Sequence, residues 1–243
     1  MATLGTTIRI KEAVESFFKQ KKNDKTLVIV DDSGVGAVSV ALNDPRIILL
    51  KNQENLGFTK SLNVALAYLC SSGMLNREDT LCILDDDDTW INDNKIGIQQ
   101  DYLDKYPEVD LVACSANLVR NGAIIGTIPD KFGTITPDII KQKNPIVHSS
   151  IMVRASMVLD GEFIYNENLV RSQDWEHWIR LICWRGIKIV ILNENMVNYT
   201  VDSSLISRFK KKRKDLAANK LLMRIHPELK LATNFIEYIF QQK

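Results

Sequence analysis

A chain of 243 residues, 45% hydrophobic and 25% charged, has ordinary globular composition and enough length for one sizeable domain, or one domain with a helical appendage. Its net charge of +1 provides no global field for nucleic acid, so no nucleic-acid partner is expected. No stretch approaches the ~18 apolar residues of a membrane span and no signal peptide is visible, so the expectation is a soluble, cytoplasmic protein.

The first seven residues are small and polar. An amphipathic helix is expected from about Ile8 to Lys21, with Ile10, Val14, Phe17 and Phe18 at helical spacing. Thr26-Leu27-Val28-Ile29-Val30 reads as a buried strand that ends in Asp31-Asp32-Ser33-Gly34. The alternation continues with a helix near Val35–Leu42, a strand at Arg46–Leu50 and a helix at Phe58–Cys70. Strands alternating with helices predict an α/β fold with a mostly parallel, doubly wound sheet.

Next comes a short apolar run, Leu81-Cys82-Ile83-Leu84, followed by four aspartates, Asp85 to Asp88. A buried strand there would project several carboxylates into the crevice where open α/β sheets bind ligands. Carboxylates within ~4–6 Å of one another raise each other's pKa. A divalent cation with oxygen ligands, Mg²⁺ or Mn²⁺, relieves that repulsion and bridges to phosphates. A solvated acidic turn is the alternative reading.

Downstream, a helix is expected over Asn94–Tyr106, stopped by Pro107. Asn121-Gly122 between Leu111–Val119 and Ala123–Ile128 signals a hairpin, and hence a small antiparallel addition to the sheet. A helix at Pro137–Lys143, a strand at Ser150–Val153, a helix at Arg171–Trp184 and strands at Lys188–Leu192 and Met196–Thr200 complete a domain spanning residues 1–202. Residues 203–243 read as a C-terminal helical tail, basic at Arg208–Lys214 and amphipathic near its end. The four cysteines are far apart in sequence and read as buried free thiols.

Five stretches in order resemble the inverting glycosyltransferases of family 2, which have the GT-A fold. They are Val28-Ile29-Val30-Asp31-Asp32-Ser33, Asn55 to Asn63, Ile83 to Trp90, Ser149 to Arg154, and Gln173-Asp174-Trp175. The resemblance implies a nucleotide diphosphate sugar as donor, of which a UDP-sugar is the expected kind. It also implies a saccharide or lipid-linked acceptor in cell-surface polysaccharide synthesis, and Mn²⁺ or Mg²⁺ as cofactor. On it, Asp85-Asp86-Asp87 matches the family's Asp-x-Asp. Asp87 is then the direct metal ligand, with Asp85 and Asp86 assisting at the metal or at the ribose hydroxyls. Asp88 is expected to cap the following turn. Asp31 or Asp32 would accept a hydrogen bond from the base, the alternative being an Asx turn. Lys60 is a phosphate contact or an exposed helix lysine, and Leu62 stands where the family often has arginine.

Asp174 matches the second carboxylate of the family's acidic pair, the general base that takes the acceptor's hydroxyl proton. Its alternative is a carboxylate stabilised by a helix N-terminus. Trp175 stacks on a sugar or packs in the core, and His148 is an acceptor-site candidate or a structural histidine. The family's opening strand matches only the start of this chain, so its first, central strand is largely missing; Ala2 and Thr3 are nonetheless expected to line the nucleotide pocket. The basic segment Arg208–Lys214 raises a peripheral contact with an anionic membrane on its inner face, against a merely solvated helix face. Two other readings are a sugar-1-phosphate nucleotidyltransferase, for which no Gly- and Arg-containing loop is present, and a non-catalytic nucleotide-sugar binder.

Overall fold

The computed structural model describes residues 1–5, 9–38, 44–129, 132–201 and 221–227. The chain enters as a two-residue strand, β1 (Ala2–Thr3), and crosses through helix α1 (Arg9–Phe18) to β2 (Leu27–Asp31). Helix α1 buries Ile10, Ala13, Val14 and Phe17 on one stripe, the face its apolar spacing dictates. β3 (Ile47–Lys51) and helix α2 (Phe58–Ser71) follow. The three strands form a parallel sheet in the order β1-β2-β3, with Ala2 opposite Val30 and Leu27 opposite Ile47.

The helix expected from Val35 is absent over the described residues 35–38; residues 39–43 of that expectation lie outside the described ones. The N–H groups that would open it are taken by side chains. Val38 N–H donates to Asp31 at 3.0 Å and Ala37 N–H to Ser33 Oγ at 3.0 Å. Local bonds of this kind compete directly with helix.

The second half begins with β4 (Thr80–Cys82), β5 (Thr89–Trp90) and helix α3 (Lys95–Lys105). The hairpin of β6 (Leu111–Arg120) and β7 (Ala123–Ile128) turns at Asn121 and Gly122, which have φ of 51° and 77°, the left-handed pair that a tight hairpin needs. β8 (Gly133–Thr134), α4 (Pro137–Gln142), a 3-10 turn at His148–Ser150, β9 (Met152–Arg154), α5 (Ala155–Leu159), α6 (Gln173–Trp184) and β10 (Ile189–Thr200) complete the order.

These strands make a mixed sheet, β4-β9-β6-β10-β5, with β7 beside β6 and β8 beside β10. Only β6 and β10 run parallel in it, so the antiparallel portion is larger than the small addition expected from sequence. β10 is one strand where two were expected, because register shifts around Asn195 absorb the polar Asn193-Glu194-Asn195 as a bulge does.

Helices cover both faces of this sheet. On β6, Leu111 and Ala113 point into a core with α2 and α6, whereas Val112, Cys114 and Ala116 point into a core with α1 and α3. That alternation is the period of two that a strand imposes. Cys114 is buried as expected, but Cys70, on the outer face of α2, is exposed. Of the expected tail, residues 203–220 and 228–243 lie outside the described residues, including the basic segment. Residues 221–225 are helical, with Leu222 fully buried against the core that contains α6.

Candidate active site

The four aspartates form the turn between β4 and β5, and each goes to a different partner. Asp85 accepts from the buried His148, whose Nδ1 is 2.9 Å from Oδ1, while its own N–H donates to Ser149 Oγ at 3.0 Å. Asp86 accepts from the Thr3 hydroxyl at 2.5 Å. Asp88 is buried and accepts from Ser149 Oγ at 2.6 Å and Thr200 N–H at 2.9 Å. It therefore ties the aspartate turn to the 3-10 turn and β10, and its bonds are not those of the expected local cap. The Asp87 carboxylate receives no hydrogen bond from another described residue. Burial, then the charges of Asp85 and Asp86, push its pKa up to about 6. Burial, followed by Asp85 and Asp87, pushes Asp88 well above the ordinary range.

Asp174 stands on the first turn of α6, just after Ser172, a non-glycine residue at φ 56°. Strain of that kind gathers at functional sites. Asn144 Nδ2 donates to the Asp174 carboxylate at 2.8 Å. Burial raises its pKa and the nearby Asp85 charge adds to this, while His148 and the Asn144 bond work the other way, leaving it raised. Between Asp174 and the aspartate turn sits His148, whose Nε2 is 2.8 Å from the Tyr165 hydroxyl. Burial opposes the charged imidazole, but Asp85 and Asp174 outweigh it and the His148 pKa is raised. The Tyr199 hydroxyl feels burial first and then Asp88, Asp174, Asp85 and Asp87 together. Asp174 and the aspartate turn therefore share one electrostatic neighbourhood around His148, and that neighbourhood is the candidate cleft.

Of the other expected site residues, Asp31, Asp32, Thr3 and Trp175 have their side chains engaged within the protein. Asp31 accepts from Ser33 N–H at 2.9 Å and Val38 N–H, so the Asx-turn reading describes its geometry. Asp32 accepts from Asn52 Nδ2 and Leu56 N–H, both at 2.8 Å, and from Gly57 N–H at 2.9 Å. It thereby holds the loop that leads into α2, where Gly57 sits at φ 87°. Thr3 reaches the site through Asp86, whereas Ala2 is buried in the core. Lys60 is an exposed residue of α2. The Trp175 indole N–H donates to Ile140 O at 2.7 Å and its ring packs on the core, fastening α6 to α4.

The family model for glycosyl transferase family 2 matches residues 8–161. The chain is a family 2 glycosyltransferase. Two relatives are named as glycosyltransferases. An uncharacterized glycosyltransferase of Methanocaldococcus jannaschii is 29% identical over 84% of this chain and 70% of its own length. One from Haemophilus influenzae is 24% identical over 70% of this chain and 54% of its own. Among solved structures, S. aureus TarS (residues 1–349) in complex with UDP matches with a TM-score of 0.62 at 19% identity, over 83% of this chain and 59% of that one. TarS in complex with UDP-GlcNAc matches at 0.58 and 16% identity, over 84% and 58%. These likenesses establish the GT-A fold. The chain spans little more than half the length of the H. influenzae relative and of the TarS chain.

In this family 2 glycosyltransferase, several site residues carried no signal that sequence reasoning used. Ser149, whose hydroxyl meets both Asp85 and Asp88 and whose carbonyl accepts from Trp90 Nε1 at 2.9 Å, lies in a motif stretch, but its partners are 59 to 64 residues away and leave no local pattern. Asn144 precedes a proline, a pattern that reads only as a turn. Tyr165 and Tyr199 belong to no local pattern and reach the cleft only through the fold.

Proposed function

We propose that the protein transfers a sugar, with inversion, from a UDP-sugar to a saccharide or lipid-linked acceptor in cell-surface polysaccharide synthesis. Asp87 would be the main ligand of a Mn²⁺ or Mg²⁺ ion, and Asp174 the general base. The observation that supports the reading is that His148 bonds to Asp85 of the aspartate turn and also lies in the field of Asp174, while Asp87 takes no hydrogen bond from any other described residue. TarS supports the choice of donor, since it is solved with UDP and with UDP-GlcNAc.

The donor set fits a metal shared with substrate. Among the described residues no three His, Cys, Asp or Glu side chains gather as a closed metal centre. Mg²⁺ at a nucleotide site needs only one or two carboxylates, with phosphate oxygens completing its shell. Such an ion supplies charge neutralisation on the leaving diphosphate. Asp85 is oriented by His148 and Asp86 by Thr3, and both would assist Asp87 on the donor side. Asp174, which burial makes a stronger base than an ordinary carboxylate, is suited to accept the acceptor's proton. Asp31 and Asp32 would shape the base end of the pocket through the loops they hold, and the exposed Lys60 would be a phosphate contact.

The test is UDP release from a panel of UDP- and dTDP-sugars with Mn²⁺. Wild type should turn over at least one donor. Asp174→Asn should lose about 10²–10⁴-fold in rate, the usual contribution of a general base, with UDP affinity unchanged. Retained turnover in Asp174→Asn would remove the assignment. Adding acidic-lipid vesicles tests the companion reading, that residues 208–214 bring the enzyme to an anionic membrane. Cosedimentation at low salt is expected, and its absence ends that idea.

A further inference from the structure

Asn144 and His148 stand at the two ends of one short strip of chain, and each holds a carboxylate. At one end Asn144 Nδ2 donates to Asp174 Oδ2 at 2.8 Å; at the other His148 Nδ1 lies 2.9 Å from Asp85 Oδ1. The strip leaves α4 through Lys143, whose φ of −153° and ψ of 157° end the helix. A residue before proline avoids the helical region, so Asn144-Pro145 carries the chain onward instead of into another turn.

The strip is held along its length. Pro145, Ile146, Val147 and His148 are all buried. Ile146 packs into the core with α2 and α6, and Val147 into the core with α1 and α3, so successive residues are gripped from opposite sides. Just upstream, the bond from Trp175 Nε1 to Ile140 O clasps α4 to α6 and sets Asn144 beside the first turn of α6.

The Asn144 amide has one orientation. Its oxygen accepts from Ile146 N–H at 3.1 Å, the Asx turn that asparagine makes with the backbone two residues on. With the oxygen taken, the NH₂ group is the end that meets Asp174. That donor comes from 30 residues away, which a carboxylate serving only to stabilise a helix N-terminus does not require.

We propose that Asn144 is a positioning residue for the transfer reaction. Its amide holds the Asp174 carboxylate in the orientation that takes the acceptor's hydroxyl proton, and residues 144–148 fix that orientation relative to Asp85 on the donor side. The proton passes from the acceptor oxygen to Asp174 as that oxygen bonds to the sugar; Asn144 touches neither reactant. The assignment rests on Asp174 as the general base.

Asn144→Asp and Asn144→Ala, each alone and each combined with Asp174→Asn, test it through UDP release from a donor that wild type turns over. Asn144→Asp keeps an oxygen for Ile146 N–H and loses only the donor to Asp174. Both single variants should lower kcat by about 10–100-fold, the range of one hydrogen bond to a charged group, with donor KM and UDP affinity as in the parent. In the Asp174→Asn background the same substitutions should change kcat by less than about 2-fold, because a residue that acts through Asp174 then has nothing to position. An equally large drop in that background, parent kcat in Asn144→Asp, or loss of UDP affinity in both single variants would overturn the proposal. Retained turnover in Asp174→Asn alone is a separate result, which removes the general base and this role with it.

Discussion

His148 is the residue on which the site's geometry turns. It is buried, bonded on one side to Asp85 and on the other to the Tyr165 hydroxyl, and it lies in the field of Asp174. A hydrogen bond to a charged group contributes roughly 1.5–3 kcal/mol. His148→Ala releases Asp85 and should lower kcat/KM for the donor by roughly 10–100-fold on that scale. Tyr165→Phe keeps the Asp85 contact and should cost less. A ranking with Tyr165→Phe as the worse variant in steady-state kinetics would contradict this role. Sequence exposed His148 only as a lone histidine, because its two partners lie 63 and 17 residues away. By contrast, Asp85 to Asp88 stood out because carboxylates at the end of an apolar run are visible without the fold, whereas Asp174 was marked only by the resemblance of Gln173-Asp174-Trp175 to the family's acidic pair. What the fold added was their division of labour, with Asp88 spent on Ser149 and Thr200 and Asp87 left without a donor from any other described residue.

At the scale of elements, the legible parts were those set by local periodicity, namely α1, α2, α3, α6 and the apolar strands. The illegible parts depended on partners. β5 is two residues long and exists because Trp90 pairs with Val197. α5 is a single short turn of helix. Pairing direction within the mixed sheet is likewise a property of distant neighbours, so a local reading overweights parallel pairing. The same scale holds a pH effect at β1. Burial lowers the Met1 ammonium from 8.0 to about 6, although Asp85 and Asp86 pull it upward. Between pH 8 and pH 6 the unfolded chain then binds more protons at this group than the native one. Native stability therefore falls as pH drops through that window, and the penalty is fully present below pH 6. Two units correspond to about 2–3 kcal/mol. The chain acetylated at its N-terminus lacks this group, so its melting temperature should lose this portion of the decline between pH 8 and pH 6. Identical pH slopes for the two forms would show that the amine is not held in this way.

Across the whole molecule, the helix that presents Asp174 is supported from the far end of the described chain. α6 buries Trp178, Ile179, Leu181 and Ile182 against the mixed sheet. Its solvent side is closed by residues 221–227, where Leu222 is fully buried in the same core. There His226 Nε2 lies 3.6 Å from the buried Glu176 and its ring is 4.6 Å from that of Trp184. Glu176 also meets Arg180 at 3.3 Å. This segment is therefore part of the transferase core in packing terms, although it lies beyond the residues that match the family model. Leu222→Ala removes a fully buried side chain, a change that costs about 2–5 kcal/mol. Thermal unfolding should shift down by at least about 4 °C for a domain of this size. Because the lost contact lies behind the helix and outside the cleft, UDP affinity at low temperature should stay as in the parent. An unchanged melting temperature would mean that Leu222 does not pack on α6. A loss of UDP binding in the still-folded protein would mean that the tail acts on the cleft itself.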